Sequence, residues 1–285
     1  MPVIAVVNRK GGSGKSTLAT HLAAWCAVTG RSVMLGDVDF QGSAAAWLKR
    51  RGAHPVARGR TIVGWTADPR RVMRPPAGVT HVVLDTPGGL RGLDLAKVVM
   101  TADALLIPVC HSLFDRESAA GCVAELRQLP RVASGRCRIG VVGMRLDART
   151  RGEAVLRAWA QEQGLPLLGA LRETQAYVRY AEQGLTVFDM PPAKVQADLD
   201  QWQPILDWLR PVMNLPAARA LPADAETSAA ASSPGRRDAP RRPRFSPSTA
   251  QVPLDVLERP RQEPAWWQRL VSWFGHAPSR RFGDA

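Results

Sequence analysis

Residues 8–17 read NRKGGSGKST, and this stretch constrains the fold more than any other in the chain. It sets Gly-x-x-x-x-Gly-Lys-Ser between an apolar run, VIAVV (3–7), and a helical pattern, STLATHLAAWCAVTG (16–30). Gly11, Gly12 and Gly14 let the backbone turn and approach a ligand closely. Successive N–H groups then point inward at negative charge, aided by the N-terminus of the following helix. A strand, this loop and a helix, in that order, make a cradle for nucleotide phosphates. The cradle runs from Gly11 and Gly12 through Ser13 and Gly14 to Thr17. In it Lys15 contacts the β- and γ-phosphates, Ser16 offers a hydroxyl to Mg2+, and Thr17 contacts a neighbouring phosphate.

The surrounding pattern agrees with such a site. SVMLG (32–36), HVVLD (81–85), ALLIPV (104–109) and IGVVGM (139–144) are continuous apolar runs, as expected for strands covered on both faces. In the helix of residues 16–30, Leu18, Leu22, Trp25 and Thr29 share a face, and Gly30 stands where a C-cap belongs. Residues 193–210 predict a closing helix that Pro204 kinks or breaks. The expectation is an α/β fold, a doubly wound and mostly parallel sheet, over residues 1–212.

From 213 to 263 the composition shifts to Ala, Pro, Ser and Arg, which reads as a flexible basic linker. PAWWQRLVSWFG (264–275) then sets Trp266, Trp267, Leu270, Val271, Trp273 and Phe274 at the spacing of a short amphipathic helix. Residues 276–285 read as a disordered tail.

Acidic residues complete the site. Asp85 ends a buried strand at the carboxyl edge, where ligands bind in open α/β sheets, and is placed to hold Mg2+ through water. Asp37 and Asp39 end another such strand. Asp39 is the candidate for orienting an attacking water, with a further Mg2+ contact through water open to it. The competing role for Asp39 is an N-cap for the helix beginning near Ser43.

A net charge of +13, carried mostly by Arg, favours polyanions such as nucleic acid, anionic lipid or nucleotides. Cys26, Cys110, Cys122 and Cys137 form no Cys-x-x-Cys pair and read as buried apolar groups in a reducing compartment. No apolar run reaches the ~20 residues of a membrane span, and the expected location is cytoplasmic.

Lys10 is a second lysine in a loop whose phosphates are already served by N–H groups and Lys15. Placed on the nucleotide of another subunit, it would act as a cation supplied in trans. KGGSGKST (10–17) resembles the deviant Walker A motif of the ParA/MinD ATPases, in which the early lysine crosses an ATP-sandwich dimer. DVDFQGS resembles that family's switch I, with Phe40 where proline is usual, and DTPGG its Walker B and switch II. IPVCHSLFD resembles its Pro-x6-Asp segment ending at Asp115, with His111 for a usual proline. Met144 stands where many relatives place an asparagine near the adenine. The resemblance implies ATP and Mg2+ as ligands, Lys10, Lys15 and Asp39 as catalytic residues, and hydrolysis that is slow and partner-stimulated. The missing cysteine between Asp85 and Ala104 excludes the superfamily's iron–sulfur reductases.

The same resemblance implies a homodimer on ATP binding and an activating partner with a basic N-terminal peptide. It leaves the surface open. A ParA-like chain would hold DNA non-specifically at the nucleoid and segregate DNA or position a cargo. Arg149, Arg151, Arg157, Arg172 and Arg179 lie in the region where relatives carry DNA-contacting residues. A MinD-like chain would cycle on the membrane through the 264–275 segment, which also suits docking on a partner or on its own domain. A nucleotide-binding scaffold with little turnover is the third reading.

Overall fold

The computed structural model describes residues 1–66, 75–147 and 149–214. Among the described residues, seven strands form one sheet: β1 (Val3–Val6), β2 (Val33–Asp37), β3 (Ile62–Thr66), β4 (His81–Asp85), β5 (Ala104–Val109), β6 (Arg138–Leu146) and β7 (Leu167–Arg172). The same described residues hold the α-helices α1 (Lys15–Val28), α2 (Ser43–Ala53), α3 (Gly92–Thr101), α4 (Leu113–Gln128), α5 (Pro130–Ala133), α6 (Gly152–Glu162), α7 (Gln175–Glu182) and α8 (Pro192–Leu209). The strand order is β3-β2-β4-β1-β5-β6-β7, and every pairing is parallel.

The period-two alternation of a strand explains the two helical layers. In β1, Ile4 and Val6 join α1, α2 and α8 in one apolar core. Val3, Ala5 and Val7 join α3, α4 and α6 in the other. The central strands are therefore apolar throughout and legible as such. The edge strands β3 and β7 are not, because each exposes part of its length and each contains a glycine. Sequence reasoning missed both.

Helix α1 is buried from Leu18 to Ala27, far beyond one stripe, because α8 and Val187 join the sheet in covering it. It ends as expected at Gly30, whose φ of +77° lets its N–H bond Ala27 O at 3.1 Å. Pro204 does not break the helix, and the backbone around it keeps helical angles. The non-helical residue in α8 is Val195 (φ −134°), whereas Pro204 lies on the exposed face of the helix. The linker beyond Asn214, the 264–275 segment and the 276–285 tail lie outside the described residues.

Candidate nucleotide site

Register places the acids. Asp85 aligns with Val6 on one side and with Asp37 on the other, at the carboxyl edge of adjacent strands. The phosphate loop leaves β1 one residue beyond Val6, so it emerges beside Asp85.

Packing from three directions shapes the loop. Gly12 and Gly14 have φ of +69° and +99°, and Gly14 caps α1. A Cβ on Gly14 would stand 2.6 Å from Met144 Cε. Met144 is buried beneath the loop, a packing role that differs from the base-facing role of an asparagine there. Asn8 donates to Pro108 O at 2.7 Å and accepts from the Lys10 N–H at 3.2 Å, tying the loop to β5. Arg145 has a left-handed backbone (φ +52°) and donates to Gly12 O and, at 3.4 Å, to Cys110 Sγ. Arg145 falls at the register shift between Gly143 and Leu146 in the β6–β7 pairing, so its left-handed backbone belongs to an irregularity that aims the side chain at the loop.

Lys15 points into the loop and donates from Nζ to Lys10 O at 3.0 Å. Burial lowers its pKa, opposed by the charges of Asp85 and Asp39. Ser13 is buried with no partner for its hydroxyl, and Ser16 and Thr17 are half-buried at the start of α1.

Asp85 is fully buried, and neither oxygen makes a hydrogen bond of ordinary geometry. Burial pushes its pKa up to about 7, although the nearby Ser16 hydroxyl and Lys15 hold it down. An orphaned carboxylate beside a serine hydroxyl fits a hydrated cation. Among the described residues there is no cluster of three or more His, Cys, Asp or Glu side chains that could hold a metal. Mg2+ suits that scarcity, since it keeps water and phosphate oxygens as ligands.

The cap of α2 is also resolved. Asp37 accepts from the N–H groups of Asp39 (3.1 Å) and Ala45 (2.8 Å), so Asp37 serves the helix start. Asp39 is half-buried, its carboxylate accepts from the Gln41 N–H at 3.0 Å, and it contributes to the field at Lys15. Its second oxygen has no bond within the described residues.

Lys10 turns to a different partner. Its ammonium pairs with Asp115 Oδ1 at 2.8 Å at the start of α4, where Ser112 also bonds the carboxylate. The five arginines are all exposed and lie beyond β6. Arg149 pairs with Asp147, Arg157 with Glu153 and Arg172 with the buried Asp198. All four cysteines are free and buried. Sequence reasoning missed Asn8, although it lies inside the quoted motif. It also missed Arg145, which no motif marks.

The comparisons with known proteins agree with this geometry. Residues 4–187 match the family model described as the CobQ/CobB/MinD/ParA nucleotide binding domain. The chain is 38% identical over 189 residues to maintenance of carboxysome distribution protein A of Gloeobacter kilaueensis, covering 65% of this chain and 83% of that protein. It is 31% identical over 189 residues to the chromosome-partitioning ATPase Soj of Thermus thermophilus, covering 54% of this chain and 75% of Soj. In fold it resembles an ATP complex of a Cyanothece McdA variant, with a TM-score of 0.57 at 14% identity over 77% of this chain and 99% of that one. It also resembles MinD in the MinC:MinD complex of Aquifex aeolicus, with a TM-score of 0.55 at 18% identity over 79% and 99%. Glycine cradle, buried lysine, orphaned aspartate and family model converge, and the chain belongs to the CobQ/CobB/MinD/ParA family of nucleotide-binding domains.

Proposed function

We propose that this chain is a ParA-type ATPase that closes into a dimer around ATP, binds DNA non-specifically and positions a cargo or segregates DNA. The observation that carries the reading is the division of labour between the two loop lysines. Lys15 points into its own cradle, whereas Lys10 lies outside it with its ammonium on Asp115. A loop that needs one lysine in cis has a second available for a neighbour's nucleotide. The relatives named above for carboxysome distribution and chromosome partitioning support cargo positioning by this class.

In this reading Gly11–Thr17 hold the phosphates, and Ser16 and Asp85, the latter through water, hold Mg2+. Bound there, Mg2+ neutralises charge on the phosphate oxygens. Lys15 stabilises charge on the γ-phosphate side, and Lys10 does so from the partner subunit. Asp39, with one oxygen left over, orients the attacking water. Triphosphate binding closes the dimer and hydrolysis reopens it, so that the nucleotide state governs attachment to a surface.

The test is co-sedimentation with non-specific duplex DNA, with ATP, ADP or neither, alongside ATP turnover. Wild type should bind DNA with ATP, and Asp39→Ala should bind DNA with ATP but hydrolyse nothing. Lys15→Ala should do neither. ATP-independent DNA binding sinks the reading. Binding instead to anionic vesicles, lost on removal of residues 264–285, would favour the membrane-cycling alternative suggested by the Trp-rich segment.

A further inference from the structure

The residue before Lys10 makes a connection that the phosphate chemistry does not use. Arg9 reaches from the loop to α4, where its guanidinium pairs with Glu125. The other Glu125 oxygen accepts the Gly92 N–H at 2.6 Å. Gly92 is the first residue of α3, a helix whose own N-cap residue, Arg91, gives no side-chain cap. Glu125 therefore caps one helix from another while holding the phosphate loop. Its carboxyl is kept below the usual range by the Gly92 bond and by Arg9.

The backbone repeats the link. The Gly89 N–H donates to Arg9 O at 2.6 Å. A Cβ on Gly88 would stand 3.3 Å from both Gly11 Cα and Gly11 N, so the segment after Asp85 runs directly against the cradle. The path of Arg9 is also reserved on α4, since a Cβ on Gly121 would stand 2.9 Å from Arg9 Nη1. Loop, helix and post-Asp85 segment thus meet at one arginine and one glutamate.

We propose that Arg9 and Glu125 are a positioning couple that ties the Thr86–Gly92 segment to the phosphate loop, so that this segment is set for a triphosphate rather than a diphosphate. The proposal rests on ATP binding at the phosphate loop. Segment 86–92 follows the acid assigned to Mg2+ and borders Gly11, so its position is sensed where a γ-phosphate would differ from its absence. Neither side chain is assigned to the reacting atoms.

The test compares Arg9→Gln, Glu125→Gln, the double variant and Arg9→Lys with wild type. Affinities for ADP and for a slowly hydrolysed ATP analogue, each with Mg2+, are measured by calorimetry. Each single variant should reduce the preference for triphosphate by roughly tenfold, the scale of a coupling between sites, with ADP affinity little changed. The double variant should lose no more than either single one, and Arg9→Lys should recover part of the preference. In the nucleotide-free chain, amides of residues 89–92 should exchange faster in both single variants. Equal weakening of both nucleotides, additive losses, or unchanged exchange would overturn the couple. Lys15→Ala is the separate control: binding that survives it refutes the phosphate site, whereas the exchange result judges the couple alone.

Discussion

Lys10 Nζ lies 2.8 Å from Asp115 Oδ1 within one chain, so the lysine assigned to act in trans already has a partner in cis. Burial pushes the Asp115 pKa up, but bonds from Lys10 and Ser112 hold it below the usual range. Reaching another subunit means giving up this pair. Lys10 is 40% exposed, so the pair is worth about 1 kcal/mol or less. Asp115→Asn should therefore strengthen ATP-dependent dimerisation by up to about fivefold for each of the two pairs given up. Lys10→Ala should abolish it. Sedimentation velocity with a non-hydrolysable analogue checks both, and weaker dimerisation in Asp115→Asn would mean that the pair supports the dimer instead of competing with it.

His21 gives a pH dependence that belongs to the fold. Its ring stacks on Trp202 at 5.2 Å with planes 7° apart. Nδ1 lies 2.8 Å from Thr17 O, and Nε2 accepts from the Val187 N–H at 3.5 Å, so only the neutral tautomer satisfies both. Burial pushes its pKa down to about 4, although the charges of Asp189 and Asp198 oppose this. The unfolded chain thus binds a proton at higher pH than the native one. Stability from this group is complete above the unfolded value of about 6.5 and is lost as pH falls towards 4. At pH 5 the loss is about 2 kcal/mol. Asp85, raised to about 7, slopes the other way, so the readout is a difference between proteins. Between pH 7.5 and 5, the urea midpoint of wild type should fall relative to that of His21→Phe, the gap growing by the His21 share of about 2 kcal/mol. Parallel shifts in the two would remove His21 as the cause.

These residues show which parts of the molecule were legible in the sequence. The cradle was, because glycine, lysine and serine at fixed spacing have few other uses, and Asp85 was, because it ends an unbroken apolar run. Contacts across the fold were not. Glu125 and Arg145 reach the loop from segments far along the chain, and nothing local marks them. Asp37 and Asp39 sit two residues apart, yet only the placement of the Ala45 N–H identifies Asp37 as the carboxylate that caps α2. The edge strands β3 and β7 lacked a pattern because half-exposed strands need not be apolar.

The loop bearing Asp39 depends on how α2 is anchored. Arg51 in α2 makes a bidentate pair with Asp189 at 2.8 Å for both bonds, and both side chains are almost fully buried. Gly184 packs so closely on α2 that an added Cβ would stand 2.2 Å from Arg51 N. Removing one partner of a buried pair leaves a charge without compensation. Arg51→Ala should destabilise the chain by about 3–5 kcal/mol, a fall in Tm of roughly 10 °C. Arg51→Met combined with Asp189→Leu should be distinctly less damaging, because no lone charge remains. Thermal unfolding ranks the variants, and a double variant as unstable as Arg51→Ala would show that packing, rather than charge, dominates there.

The candidate DNA-contacting arginines should not contribute equally. Arg172 donates to Asp198 at 2.7 and 2.9 Å, and Asp198 is buried, so this guanidinium is largely committed to holding β7 against α8. Arg149 and Arg157 are paired with exposed acids, which water can satisfy when the arginine turns to a phosphate. Among the described residues, Arg151 and Arg179 make no ion pair. Each phosphate contact lowers the slope of log K against log salt by about one when lost. Arg151→Ala and Arg179→Ala should therefore each reduce the slope by about one without changing Tm, with Arg149→Ala and Arg157→Ala close behind. Arg172→Ala should chiefly lower Tm, since it strands a buried carboxylate, and should move the salt slope least. Titrations from 50 to 200 mM salt are the range in which such slopes separate. The opposite ranking, with Arg172 dominant and Arg151 silent, would place the DNA on the β7 edge and away from the start of α6.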